Sequence, residues 1–82
     1  MSDQQLLQRI VSDSKVMVGK PVIKGTRLTV EFILNLLAHG SSAEAILAEY
    51  EGLVAEDIQA CLLFASQSLS STTYLPLTAE QA

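Results

Sequence analysis

The sequence predicts a mainly α-helical domain, with a short N-terminal β-hairpin or strand pair followed by a three-helix, helix-turn-helix-like bundle. Three observations predict it. The run Gly19-Lys20-Pro21-Val22-Ile23-Lys24-Gly25-Thr26-Arg27-Leu28-Thr29-Val30 reads as a strand, a cationic glycine turn and a helix entry. Apolar residues then recur at helical spacing in successive segments. Glycines at positions 40 and 52 punctuate those segments. The 82 residues allow one small domain, in which burial is inefficient.

In chain order, residues 1–8 form an N-terminal extension, polar apart from Leu6-Leu7, that frays or begins a short helix. Residues 9–69 are the expected domain. Arg9-Ile10-Val11-Ser12 reads as a brief strand, Asp13-Ser14 as a turn, and Pro21 to Ile23 as a second strand. Pro21 suits the mouth of an extended segment because its φ is fixed and it donates no hydrogen bond. Two such short strands need a helix beneath them or a second copy beside them.

The first of the three helices is expected from about Val30 to His39. Thr29 stands at its N-cap, Phe32, Ile33, Leu36 and Leu37 form its apolar face, and Gly40 closes it. His39 answers the last carbonyls, and no Cys, His or acid cluster near it suggests a metal ligand. Ser41-Ser42-Ala43-Glu44 has the form of a capping box, with serine three residues before glutamate. It opens a helix from about Ala43 to Tyr50, with Ile46, Leu47 and Tyr50 facing inward. Glu51-Gly52 breaks the chain, and the longest helix runs from near Val54 to about Ser68. Glu56 and Asp57 sit in its first turn, where the helix dipole favours acids.

This last helix carries two apolar stripes. Ile58, Cys61, Leu62, Ala65 and Leu69 form one, read as core. Ala60, Leu63 and Phe64 form the other, read either as a partner interface or as more of the same core. Residues 70–82 are expected to be a tail that ends regular structure, with the apolar island Tyr74-Leu75-Pro76-Leu77 as a passive extension or a docking segment.

Hydrophobic residues make up 49% of the chain and charged residues only 17%, which predicts a homodimer or a covering partner. No apolar run approaches the ~20 residues needed to cross a bilayer, so no membrane role is expected. The start Met1-Ser2-Asp3-Gln4-Gln5 lacks the form of a signal peptide, and the single Cys61 suits a reducing, cytoplasmic setting.

Net charge is −4, but unevenly placed. All five basic residues lie between Arg9 and Arg27, where Asp13 is the one acid; from Leu28 onward there are seven acids and no Lys or Arg. Two readings of the basic segment stand: a phosphate-facing patch, or lysines that merely solvate a strand region. Catalytic chemistry is not expected. One His, one Cys and no phosphate-cradling glycine loop leave no constellation for an active site, metal or cofactor. Glu49 and Glu51 flank a helix end as solvated charges.

The run Asp13-Ser14-Lys15-Val16-Met17-Val18-Gly19-Lys20-Pro21-Val22-Ile23-Lys24-Gly25-Thr26-Arg27-Leu28 resembles the signature of the small bacterial domains called DUF433. The likeness extends to Tyr50–Ile58 and covers roughly Ile10 to Ser66. It implies a strand region followed by three helices, and a threonine cap where this chain has Val54. Members resemble helix-turn-helix domains, and many are thought to be antitoxins paired with PIN-like ribonuclease toxins. The resemblance therefore implies a dimeric antitoxin that binds its own promoter and a toxin protein.

For DNA, the phosphate contacts would come from Lys20, Lys24 and Arg27, and Gln59 is the plausible base-edge donor. The helix that should enter the major groove begins with Glu56 and Asp57, so affinity would be modest and salt-dependent. Arg27 has a second reading, pairing with Glu31 four residues on. The alternative function is an oligomeric protein-interaction module without DNA binding, holding its partner on the apolar face of the last helix.

Overall fold

The computed structural model describes residues 1–70, and the apolar island Tyr74–Leu77 lies outside them. Its element order is α1 (Asp3–Leu7), β1 (Ile10–Val11), β2 (Val22–Ile23), α2 (Val30–Ala38), α3 (Ala43–Glu49) and α4 (Ala55–Ser70). The expected hairpin and three-helix, helix-turn-helix-like bundle are present as α2, α3 and α4. The extension adds α1, which packs along α4.

A capping box starts α1: the Ser2 hydroxyl accepts from the Gln5 amide, and the Gln5 side chain returns to the Ser2 amide. Satisfying two orphan donors at once lets five residues hold a helix that would not persist alone. In the hairpin, Ile10 pairs with Ile23 and Val11 with Val22 in antiparallel register. Two residues per strand are too few for independent stability. β2 is reinforced on its other edge: Ile23 donates to the Leu28 carbonyl at 2.9 Å, and Val30 to that of Pro21 at 3.0 Å. The chain therefore doubles back over β2 before α2 begins.

Gly25 makes that reversal. Its φ is +82°, and the turn is locked by the Thr26 hydroxyl, which donates to the Ile23 carbonyl at 2.8 Å and accepts from the Leu28 amide at 3.0 Å. The expected Thr29 cap is formed, its hydroxyl accepting from the Phe32 amide at 3.0 Å. At the other end His39 Nδ1 lies 2.8 Å from the Asn35 carbonyl, and Gly40, with φ +97°, closes α2.

The structure redraws two helix starts. The serine that caps α3 is Ser42, which accepts from the Ala45 amide. Glu44 therefore lies one position too early to close the Ser41–Glu44 box and contributes only its charge to the first turn. At α4, the missing threonine at Val54 is answered from the opposite direction. The Asp57 carboxylate reaches back to accept from the Val54 amide at 3.0 Å.

The core is Ile23, Val30, Ile33, Ile46, Leu53, Ile58 and Cys61, drawn from β2, all three long helices and the α3–α4 connection. α2 buries Val30 and Ile33, with Leu34 and Leu37 packed at the margin. Phe32 falls off that stripe and is 38% exposed, its ring edge-on to Tyr50 at 5.9 Å, so it is a rim residue rather than a core one. Leu62 and Leu69 are about half exposed and leave the core stripe assigned to them. Once Ile58 and Cys61 face the hairpin and α2, a 16-residue helix cannot bury both Leu62 and Leu69 in so small a core.

The β1–β2 connection contains the backbone's most strained segment. Met17, Val18 and Gly19 have φ of +50°, +57° and +79°. Gly19 takes this freely, but a β-branched valine in the left-handed region is a true outlier, at roughly 1–2 kcal/mol. Amides of Gly19 and Lys20 donate to the carbonyls of Val16 and Met17, which holds the turn closed.

The glycine turn supplies a stability test. A Cβ on Gly25 meets no atom within 4 Å, so the Cβ itself does not clash and Gly25→Val is penalised first through its backbone conformation. Urea denaturation should show a loss of roughly 1–2 kcal/mol. An unchanged midpoint would mean the turn relaxes to negative φ without cost.

Candidate functional site

The basic residues of the N-terminal half do not form one free patch. Arg9 Nη1 lies 3.0 Å from Asp57 Oδ1, joining the start of β1 to the first turn of α4. Asp57 is buried, and its second oxygen is engaged by the Val54 amide. Lys20 Nζ lies 3.1 Å from Glu31, a pair in which both side chains are more than half exposed. Arg27 has no ion pair with Glu31, whose partner is Lys20. Lys15, Lys24 and Arg27 thus remain as exposed cations outside any ion pair among the described residues.

Of the residues expected to touch DNA, Lys24 and Arg27 flank the Gly25 turn, and Lys20 stands on the far side of β2. Gln59 is exposed on α4, away from this loop in sequence, with Glu56 beside it. Beside the start of α4 lie Arg9, paired with Asp57, and Lys24, which lines one hollow with both, whereas the outward face of α4 itself carries no cation. What it offers is Val54, 44% exposed, then Ala55, Gln59, Leu62, Ser66 and Leu69, all exposed, with Ala55 onward spaced alternately four and three residues apart. That spacing is one continuous seam along a helix.

The three residues expected at a partner interface are separated by the fold. Ala60 has no exposed surface and Leu63 is half-buried. Phe64 packs on the core and lines a largely apolar hollow of about 310 Å³ with Pro21, Val30 and Leu34. The stripe that does face outward holds Leu62 and Leu69. Its signal was in the sequence: Gln59 and Ser66 share their face, and a core stripe rarely interleaves two such polar residues.

A second apolar hollow, about 300 Å³, lies on the opposite flank of Thr29. Met17, Arg27, Leu28, Thr29 and Phe32 line it. Val18, at the tip of the strained turn, is 92% exposed next to it in sequence.

No group of acids, His and Cys among the described residues is arranged to hold a metal ion. Cys61 is buried, and burial first, then the nearby Asp57 charge, pushes its thiol up to about 11. It is a core residue, not a nucleophile. No described helix is long and apolar enough to cross a membrane.

Hairpin, glycine turn and three packed helices define a small helix-turn-helix-like domain whose outward features are an apolar seam and a cationic loop. The chain belongs to DUF433, a family described as proteins of unknown function, whose model matches residues 10–65. A crystal structure of a DUF433 member protein from Anabaena variabilis ATCC 29413 has the same fold, with a TM-score of 0.73 at 29% identity. The match covers 83% of this chain and 67% of that one. An uncharacterized protein of Archaeoglobus fulgidus is 72% identical over 25 residues, which is 30% of this chain and 69% of that protein.

The buried pair and the thiol are both testable. Arg9→Ala leaves a buried carboxylate with one remaining donor; because Arg9 is about one-third exposed, the loss should be about 2–3 kcal/mol, below that of a fully buried pair. A double-mutant cycle with Asp57→Ala should give a coupling of about 1 kcal/mol or more, and a value near zero would make the contact incidental. Since the Cys61 thiol holds its proton more tightly when folded, stability should fall as pH rises from about 9 to 11. A Cys61→Ala variant should lose that part of the slope.

Proposed function

We propose that this protein is the antitoxin-type member of a two-protein pair, acting chiefly by holding a partner protein. The observation that carries this is the exposed seam of α4. Leu62 and Leu69 stand seven residues apart on one face with only small or neutral polar residues between them. A helix or strand of another protein laid along that face would remove both leucines from water, worth roughly 1.5–3 kcal/mol each when fully covered. The family resemblance suggests a PIN-like ribonuclease as that protein, and a cytoplasmic setting agrees with the free, buried Cys61.

DNA binding is the second reading, favoured by Lys24 and Arg27, two unpaired cations on the loop that enters α2 of a helix-turn-helix-like bundle. Against strong base readout stands Glu56 at the start of α4, with Gln59 as the donor on that outward face; Asp57, the other acid of this turn, is buried against Arg9. On this reading the protein contacts phosphates through Lys20, Lys24 and Arg27, and Lys20 must first leave Glu31, an exposed pair worth little. Binding would be weak and would fall steeply with salt.

One experiment separates the two. The protein is co-expressed with the product of the neighbouring gene and tested for co-purification and for suppression of that product's ribonuclease activity. Leu62→Glu with Leu69→Glu should abolish both while circular dichroism stays unchanged. In parallel, binding to the upstream DNA is followed across a salt series, with the triple change Lys20→Ala, Lys24→Ala, Arg27→Ala as control. Co-purification that survives the leucine changes sinks the seam. DNA binding insensitive to the triple change sinks the phosphate contacts.

A further inference from the structure

We propose that the hollow between α1, the hairpin and the start of α4 binds a small phosphate monoester, held between Arg9 and Lys24. The hollow measures about 630 Å³ and is lined by Met1, Gln5, Gln8, Arg9, Lys24 and Asp57. Its two cations come from the two sides of the hairpin, and the register sets them against each other. Ile10 pairs with Ile23, so one step outward Arg9 stands opposite Lys24, and the Lys24 amide donates to the Arg9 carbonyl at 2.7 Å. Side chains directly opposite in an antiparallel pair share one face, and both of these line the same hollow.

Like charges in that relation repel, and the hairpin gains nothing from them by itself. Asp57 answers only one of the two. Its carboxylate takes Arg9 Nη1 at 3.0 Å on one oxygen and the Val54 amide on the other, and Lys24 has no ion pair among the described residues. The titratable side chains of the lining therefore set two positive charges against one negative. Lys24 is exposed, which keeps the repulsion small and leaves its ammonium open to a ligand. A guanidinium has further N–H donors in the plane of the one given to Asp57, so Arg9 can hold Asp57 and a phosphate oxygen together. Lys20 and Arg27 line other hollows and take no part.

Size and lining define the rest of the ligand. The hollow is much larger than a phosphate ion needs and falls within the range of small-molecule sites. Met1, Gln5 and Gln8 line it with uncharged side chains, two of them amides that both donate and accept. Asp57, on the same lining, disfavours a second anionic group beside the first. One phosphate on a neutral, hydroxyl-bearing body, as in a sugar phosphate, matches this set. The DNA reading above claims Lys24 as well, so the two compete for that residue.

Calorimetric titration and thermal unfolding of the full chain, with ribose 5-phosphate and inorganic phosphate as probes, test this. Ribose 5-phosphate should raise the melting temperature and bind with a dissociation constant on the order of 0.1–1 mM, about fivefold or more below that of inorganic phosphate. Lys24→Gln should weaken this binding by about tenfold or more, because a charge-assisted contact is lost. The melting temperature of that variant without ligand should hold or rise, since a like charge facing Arg9 is gone. Lys20→Gln, Arg27→Gln, and Leu62→Glu with Leu69→Glu should leave the affinity unchanged. The proposal is overturned if neither probe binds at about 10 mM, a concentration well above the expected constant. It fails equally if Lys24→Gln binds as the wild type does, or if that variant melts lower and so gives Lys24 a structural role. Equal losses in Lys20→Gln and Arg27→Gln would reduce the effect to unlocalised charge attraction. Equal affinity for the two probes would leave a bare anion contact and remove the ester. Displacement of ribose 5-phosphate by a duplex without terminal phosphates would give Lys24 to the phosphodiester backbone, and the small ligand would have no site.

Discussion

The fold depends on one buried carboxylate. Asp57 accepts from Arg9 on one oxygen and from the Val54 amide on the other, each at 3.0 Å. The first contact ties the beginning of the hairpin to a helix 48 residues further on, and the second starts that helix. A two-residue strand pair has little to hold it by itself, and α4 lacks a side-chain cap at Val54. Both shortfalls are met by the same side chain. Burying a charge is costly, and the cost is tolerable here because both oxygens find donors and Arg9 remains partly in water.

The parts of this fold that depend on neighbours in sequence were legible in it. Thr29 before an apolar run, Gly25 between Lys24 and Thr26, and Gly40 after His39 each act through the backbone within a few residues, and each was found where its chemistry places it. The parts that depend on distant residues were not. Nothing local marks Asp57 as buried, because an acid in the first turn of a helix is equally at home in solvent. The same limit governs the faces of α4. Periodicity identifies stripes, but which stripe meets α2 is decided by the hairpin's position, and that position sends Leu62 outward and Ala60 inward. Phe32 illustrates the point on α2, where a shift of one residue in the buried stripe moves an aromatic ring from core to rim.

Charge gives the clearest separation between sequence and space. The chain divides into a basic stretch and an acidic remainder, which suggests two opposed faces. The two ion pairs instead join the halves: Arg9 to Asp57 and Lys20 to Glu31. Each pair cancels one of the basic stretch's charges at short range, and what remains is Lys24 and Arg27 flanking the Gly25 turn, with Lys15 in the β1–β2 connection. A charged surface is therefore better counted after pairing than before, since a cation held 3 Å from a carboxylate contributes little field at a phosphate's distance. Of the expected phosphate contacts, Lys24 and Arg27 have no ion pair among the described residues.

Arg27 shares a hollow with Met17, next to Val18 in the chain, and the local conflict in that turn has a physical reading. A sequence selected only to fold would place glycine or asparagine at a left-handed position, and this chain does so at Gly19 and Gly25. At position 18 it keeps a β-branched residue, almost wholly exposed. Folding alone gains nothing from that choice: the side chain buries no area, satisfies no donor and strains its own backbone. Sequences agree with their folds at most positions and depart from them where a surface is used. Val18 and the outward leucines of α4 depart in the same sense, each keeping an apolar side chain where the monomer has no use for it.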